Sequence, residues 1–497
     1  MPALLFLLAL AVRLIHVLSI AGLEWFDVPL VDGINYFRTA NTIASGDLLA
    51  GTAPFWQPPL YPYFLAALIA LFGQRMIWIY GVQVVVGSLS CVMTWSLGRR
   101  VFSPAAGVWG GAITALYGPL IYFDAQPLVP VVHIALALAG ILLVLRAAGI
   151  PGGRPGGEAL WALAGLCLGL AAIATANLLL VLPVVALWTW RRTRPARGPV
   201  LLLTVLAALP VLLVAARNVA VSGEPVLISS NAGINLFIGN NPDYERTVHI
   251  RPGGEFEALA QQPENQGILS ASGKSRYFAR RALAFLAGDP GLAARVYLRK
   301  LGELIAGREV PRNEDLYGYR EHSPVLRLLL WRAGVSFPFG LVAPLALAGM
   351  LISRRGTREG NGREERRRAG RRLLLGFLLV YAATILLFFP TGRYRLPLVP
   401  VLAVFAGGFL AAGPAGWRRP AALAGLAAGL LLFNLDALHP SERWPEEEAL
   451  NRAYALQVKG RMEEARREYE RALALDPRRI DPHNSLAVMA AARGDWE

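Results

Sequence analysis

The sequence predicts an all-α polytopic membrane protein with a short helical module at its C-terminal end. Of 497 residues, 55% are hydrophobic and only 17% are charged, against about 25% charged in an ordinary soluble protein. Apolar runs near or above the ~18 residues that mark a membrane-crossing helix recur as far as about residue 435. Lys and Arg number 49 against 34 Asp and Glu, a net charge of +15. In a membrane protein such an excess collects in cytoplasmic loops and need not signal nucleic acid. The same composition excludes a disulfide scaffold, a collagen and a disordered chain.

Eleven runs read as spans: 3–21, 77–97, 104–123, 127–146, 159–176, 177–190, 199–216, 333–353, 373–390, 396–413 and 420–435. The first carries Arg13 and His16 and lacks a basic leader, so it reads as a retained span rather than a cleaved signal. A twelfth run, 59–73, reaches only ~22 Å at 1.5 Å per residue. Length alone does not separate it from 177–190, which is equally short. Charge does. With 59–73 on the surface and the N-terminus cytoplasmic, the inside loops and their membrane edges hold 19 Arg and the short outside connections hold 3. Making 59–73 a span inverts the pattern for every later loop. This topology puts the polar segments 22–58, 217–332 and everything after 436 on the outer face. The Arg- and Gly-rich run 354–372 reads as a basic loop near anionic lipid.

The tail differs in kind. In 446–479, Ala453, Gly460, Ala465, Tyr469, Ala472 and Pro477 follow the 34-residue tetratricopeptide pattern of paired helices. Leu486-Ala487 and Gly494 start a second register at the same distance, and the sequence stops at Glu497 before that repeat's second helix. Such repeats bury their apolar faces only against neighbours. Either a longer parent or packing on the membrane domain or a partner would supply them. The domains are therefore 1–440, with outer loops 22–76 and 217–332, and the repeat segment 441–497.

Chemistry is expected on the outer face. Asp32 precedes Tyr36 and Ala40 at helical spacing, which puts a carboxylate at the start of a surface helix. There it can act as general base for an acceptor hydroxyl or amine, or merely cap the helix. Arg393, Tyr394 and Arg395 lie outside just before a span, and Arg217 lies where a span emerges. Planar guanidinium forks suit phosphate oxygens, and interfacial anchoring is the competing role. The segment 229–243, SSNAGINLFIGNNPD, offers amides such as Asn240 for hydroxyl-rich ligands, or a plain turn. Arg13 and His16, one helical turn apart, are intramembrane ionisable residues that either act or pair within the bundle. Helix-forming residues 272–306 read as basic and amphipathic. Cys91 and Cys167 both fall in apolar runs, and the six His are scattered. No zinc or disulfide framework is therefore expected.

Five strings, in order, resemble the GT-C superfamily of membrane glycosyltransferases that use polyprenyl-phosphate sugars. The resemblance is to its dolichyl-phosphate-mannose–protein mannosyltransferase and aminoarabinose transferase branch, glycosyltransferase family 39-like. They are Asp32 with Tyr36 and the SGD at 45–47, QPPLYPYFLAALIALFG at 57–73, GRRVFSPAAGVWGGAITALYGPLIYFDAQPL at 98–128, ARNVAVSGEPVLISSNAGINLFIGNNPD at 216–243, and GRYRLPLVPVLAVFAG at 392–407. The resemblance implies a jutting surface helix at 57–73 and a catalytic, acceptor-activating role for Asp32. The second acid usual beside it is Gly33 here, and Gln57-Pro58-Pro59 stands where relatives carry a charged residue before the proline. A further outer acid aligns with Asp124, or with Gln126 in the competing alignment.

The expected function is sugar transfer from a polyprenyl-phosphate donor to an acceptor on the extracytoplasmic face of a bacterial inner membrane. Asp32 is the base and Asp124 the second candidate acid. Tyr36, Gln57, Arg217, Asn240, Arg393, Tyr394 and Arg395 are the substrate-binding candidates. No cofactor is compelled; a divalent metal is compatible, with no ligand cluster demanding it. No Rossmann-like domain offers a nucleotide-sugar site. Sugar and acceptor, whether glycan, lipid or protein, stay open, and the tail offers a protein partner. Two rival classes are a flippase of lipid-linked glycans, which would show half-repeats and midplane charges, and a non-catalytic assembly protein working through its tail.

Overall fold

The computed structural model describes residues 1–152, 156–194, 196–250, 253–312, 316–354, 362–435 and 445–493. Its first ten helices are α1 (Pro2–Ile20), α2 (Asp32–Ala44), α3 (Leu60–Phe72), α4 (Met76–Val101), α5 (Pro104–Ala115), α6 (Gly118–Asp124), α7 (Pro130–Ala147), α8 (Glu158–Ala174), α9 (Leu182–Thr193) and α10 (Gly198–Ser222). The described residues hold a single two-stranded hairpin, Trp331–Arg332 with Ser336–Phe337; all other regular structure is helical. The protein is an all-α polytopic membrane protein.

Among the described residues six helices are long and apolar enough to cross a membrane: α1, α4, α7, α10, Gly362–Leu387 and Gly392–Leu410. Helices α5 and α6 form a seventh candidate bent by 58°. The bend has a chemical cause. Pro119 has no N–H to give the Ala115 carbonyl, so the helical ladder breaks there. Arg13 from α1 fills the gap, donating to Ala115 O at 3.1 Å. Four shorter apolar helices follow: α3, α8, Phe339–Ser353 and Pro420–Leu432. Two of the sequence-derived spans change form. Residues 333–353 begin as the hairpin, turning at Gly334 with φ +70°, and become helical only at Phe339. Residues 177–190 open with a 3₁₀ turn, Ala176–Leu180, and continue in the twelve-residue α9. At ~1.5 Å per residue, α9 is ~18 Å long.

Small residues let the helices approach. A Cβ added at Gly165 or Gly169 of α8 would lie 2.4 Å from the carbonyl of Leu203 or Ala207 on α10. Removing those side chains lets backbone meet backbone, the usual way apolar helices associate in lipid.

The bundle has two unlike polar ends. At one end the Arg-rich loops converge: Arg100 donates to Ile150 O at 2.8 Å, Arg371 to Val101 O at 2.8 Å, and Trp188 to Ala369 O at 2.9 Å. At the other end the polar segments 22–58 and 217–332 interlock. Ser230 N donates to Phe55 O at 2.8 Å, and Trp25 Nε1 to Tyr319 Oη at 2.8 Å. The tail docks here too. Arg461 pairs with Glu24 at 2.8 Å, and Asp481 Oδ1 accepts from Gly254 N at 3.0 Å. Helices Pro445–Val458 and Met462–Leu475 pack as a hairpin around Ala453, Leu456, Ala465 and Tyr469, turning at Gly460 with φ +76°. A third helix, Ile480–Arg493, adds Met489 to that core. Gly494 lies outside the described residues.

Candidate active site

A cavity of about 380 Å³ opens among the polar segments. The start of α2 forms one wall. Val31, the residue before it, has φ +50°, a region that β-branched residues avoid at a cost of roughly 1–3 kcal/mol. The strained backbone presents Asp32 to the cavity. There Asp32 Oδ2 accepts from Arg393 Nη1 at 2.7 Å, and Oδ1 accepts from Gln57 Nε2 at 3.1 Å. Arg393 stands in a short helix, Gly392–Arg395, whose N-cap Thr391 accepts from Tyr394 N at 3.2 Å. That cap fixes the direction of the two cavity-lining side chains, Arg393 and Tyr394. Burial pushes the Tyr36 phenol up, and the Asp32 charge adds to the effect. Tyr36 is therefore a standing O–H donor on the same wall.

Thus Asp32, Tyr36, Gln57, Arg393 and Tyr394 meet at one cavity, and four other candidates do not. Asp124 lies inside the bundle, paired with Arg13 at 2.6 Å. A Cβ on Gly87 would lie 2.0 Å from its Oδ2, so α4 makes room for the carboxylate. Gln126 is held by the same clamp, Gln83 Nε2 donating to the carbonyls of both residues. Arg217 closes the loop 49–53 instead, donating to Ala53 O at 2.7 Å and to the carbonyls of Leu49, Ala50 and Gly51. Asn240 is buried and accepts from Lys300 Nζ at 3.0 Å. Burial lowers that ammonium to about 7, partly offset by Glu303. Arg395 points away from its neighbour Arg393, bonding the Ala306 and Arg308 carbonyls and pairing with Glu309 at 2.9 Å. Arg13 and His16 pair within the fold, His16 Nδ1 with Ser323 Oγ at 2.8 Å.

The cavity also holds residues that spacing did not single out. Arg312 lies over the Phe389 ring at 4.0 Å, and its Nη1 is buried without a hydrogen-bond partner among the described residues. Burial lowers its affinity for the proton, while Tyr394 and Asp32 oppose that and Arg393 adds to it. A guanidinium stays charged regardless, so this is a cation with capacity left to bind. It is one of many Arg in segment 217–332. Nothing in its sequence neighbourhood separates it from the rest. Of the Asn-rich segment 229–243, Ser229, Asn231 and Asn235 line the cavity, whereas Asn240 lies outside its wall. His133, Thr175 and Asn177 line the cavity from α7 and the end of α8. Gly33 packs against Pro127, where an added Cβ would sit 3.1 Å from Cγ, tighter than an ordinary contact. No group of three His, Cys, Asp or Glu able to hold a metal ion occurs among the described residues.

No protein-family model matches the chain, and no curated protein does. Among solved structures it is similar to the apo oligosaccharyltransferase of Archaeoglobus fulgidus, with 14% identity, a TM-score of 0.44, and coverage of 96% of this chain and 59% of that one. It is similar to AglB of the same organism in complex with an inhibitory peptide and a dolichol-phosphate, at 14% identity, TM-score 0.42, 94% and 55% coverage. ArnT from Cupriavidus metallidurans bound to undecaprenyl phosphate gives 16% identity, TM-score 0.34, 87% and 77% coverage. The chain spans a little over half the length of the archaeal proteins. At these scores the likenesses decide nothing about donor, acceptor or residues.

Proposed function

We propose that the chain transfers a sugar from a polyprenyl-phosphate donor to an acceptor at the extracytoplasmic face of the membrane. One observation carries the reading. Asp32, Gln57 and Arg393, far apart in sequence, converge on one cavity at the polar end of an apolar bundle with Arg312, whose Nη1 has no hydrogen-bond partner among the described residues. A lipid-linked phosphate needs cations beside lipid, and a glycosyl acceptor needs a base near those cations. Few other chemistries require both.

The donor phosphate is bound between Arg393 and Arg312, whose guanidinium groups match its oxygens. A phosphate on Arg393 competes with Asp32 for that guanidinium, which turns the carboxylate toward the acceptor. Asp32 takes the proton of the acceptor O–H or N–H. The acceptor atom attacks the anomeric carbon, the bond from that carbon to the phosphate oxygen breaks, and its electron pair leaves with the polyprenyl phosphate. The product is inverted at that carbon. Gln57 and Tyr36 hold the geometry. The reading calls on no cofactor and is compatible with a divalent metal at the phosphate.

The direct test is transfer from a purified polyprenyl-phosphate sugar to a small acceptor, read by mass spectrometry. Turnover that depends on Asp32 supports the reading; its absence with every such donor overturns it. The face is tested separately. Single cysteines at Gln74, beside α2, and Ser103, at the Arg-rich end, are placed in a background lacking Cys91 and Cys167. An impermeant thiol reagent on intact cells is expected to label the first and spare the second. The reverse would turn the protein over.

A further inference from the structure

We propose that His133, Thr175 and Asn177 form a hydroxyl-recognition subsite that takes the sugar of the lipid-linked donor. The inference rests on the glycosyl-transfer reading and deepens it. His133 lies in the first turn of α7 and is 1% exposed, yet it lines the cavity. Its Nδ1 is 3.1 Å from the Ala171 carbonyl. A carbonyl only accepts, so Nδ1 carries the hydrogen, and in the neutral ring Nε2 is left as an acceptor. That Nε2 is buried and has no partner among the described residues. A buried acceptor left unpaired is expensive, and a ligand donor is the group that would relieve it.

The neighbouring wall completes the site. Helix α8 ends at Ala174; Thr175 is extended, with φ −150° and ψ +113°, before the 3₁₀ turn begins. This break puts Thr175 and Asn177 in the cavity lining with His133, and Thr175 N shares the Ala171 carbonyl with His133 Nδ1. The three groups offer donors and acceptors without formal charge, which suits sugar hydroxyls. The Nε2 lone pair does not suit a phosphate, whose oxygens are acceptors as well. The cations for the phosphate, Arg393 and Arg312, come from other segments. Tyr381, whose ring centre is 5.8 Å from that of His133, also lines the cavity and offers an aromatic surface against which the C–H face of a sugar can lie.

The test compares two ligands on the full chain in lipid nanodiscs: bare polyprenyl phosphate and the same lipid carrying a hexose. His133→Phe keeps the ring and removes Nε2. It is expected to weaken the sugar-bearing lipid by about 3- to 10-fold, the worth of one hydrogen bond, and to leave the bare lipid unchanged. His133→Gln, which returns a polar group near the position of Nε2, is expected to recover part of the loss. Asn177→Ala is expected to show the same selectivity and serves if the phenylalanine variant fails to fold. Equal weakening of both lipids, or of neither, overturns the subsite. A wild-type chain that binds both lipids equally also overturns it while leaving the phosphate site standing. A wild-type chain that binds neither overturns the glycosyl-transfer reading together with this one.

Discussion

Asp124 with Arg13, and Asp32 with Arg393, are the same chemical pair at the same separation, 2.6 and 2.7 Å. Their surroundings differ. The first pair has side chains 5% and 1% exposed, with Arg13 also spent on the carbonyls of Ala9 and Ala115. The second has both side chains 19% exposed on the wall of a cavity that a second cation, Arg312, shares. The sealed pair holds a broken helix against α1. Charges buried this way are satisfied by each other and have no room for a ligand. The open pair can exchange a partner, because a competing anion can reach the guanidinium. A carboxylate–arginine contact is therefore not a site in itself; access for a ligand is what separates the two pairs.

The contrast predicts different failures for the two aspartates. Asp32→Asn is expected to lower kcat by ~10²–10⁴-fold, the usual loss of a general base, with donor binding and thermal stability near native. Asp32→Glu is expected to be partly active at best, because the carboxylate moves by a methylene. Asp124→Asn strands the Arg13 charge in the bundle and is expected to destabilise by about 3–5 kcal/mol, seen as a lowered Tm. The joint change Arg13→Met with Asp124→Leu is expected to recover much of it. If Asp124→Asn folds normally and is inactive, the contrast breaks and the sealed acid is catalytic.

The arginines sharpen the same point. Arg393→Lys keeps the charge and loses the fork, and is expected to raise the donor KM by roughly 10-fold, as for a lost charge-assisted hydrogen bond. Arg395→Lys is expected to leave that KM unchanged and to lower Tm, since one ammonium cannot serve Glu309 and the carbonyls of Ala306 and Arg308 in the same fork geometry. Equal kinetics for both variants would return Arg393 to an interfacial anchor.

The tail is expected to have the smallest effect. Every residue of the open site precedes it, and its contact with the cavity is indirect: Asp481 holds the amide of Gly254, next to the lining residue Gly253. Truncation after Leu435 is expected to change kcat for a small acceptor by less than about threefold, on the scale of one neutral hydrogen bond. Loss of all turnover in a folded, inserted protein would make the tail part of the site.

Much of the architecture was legible because apolar run length and charge position are local quantities. The apolar helices, the grouping of Arg-rich loops at one end and the tail hairpin with its Gly460 turn can be read in the sequence, whereas the number of helices long enough to cross lipid, six or seven among the described residues, cannot. Within the site, Asp32 and Tyr36 share one helix face, so their spacing announces them, and Arg393-Tyr394 precede an apolar run on the polar side. Other features depend on where segments far apart in sequence come to rest. Arg393 and Arg395 look equivalent in the string, yet the short helix between Thr391 and Pro397 sends one to the cavity and the other to Glu309. Asp124 looks like an outer acid until Pro119 breaks its span and Arg13 draws it inward. Arg312 and His133 carry no local mark at all. Hydrophobic burial follows composition and period, so the sequence alone determined which stretches are apolar enough for lipid. Which charges are spent on one another and which face a ligand depends on angstrom-scale proximity between distant segments, and only the tertiary structure decided that.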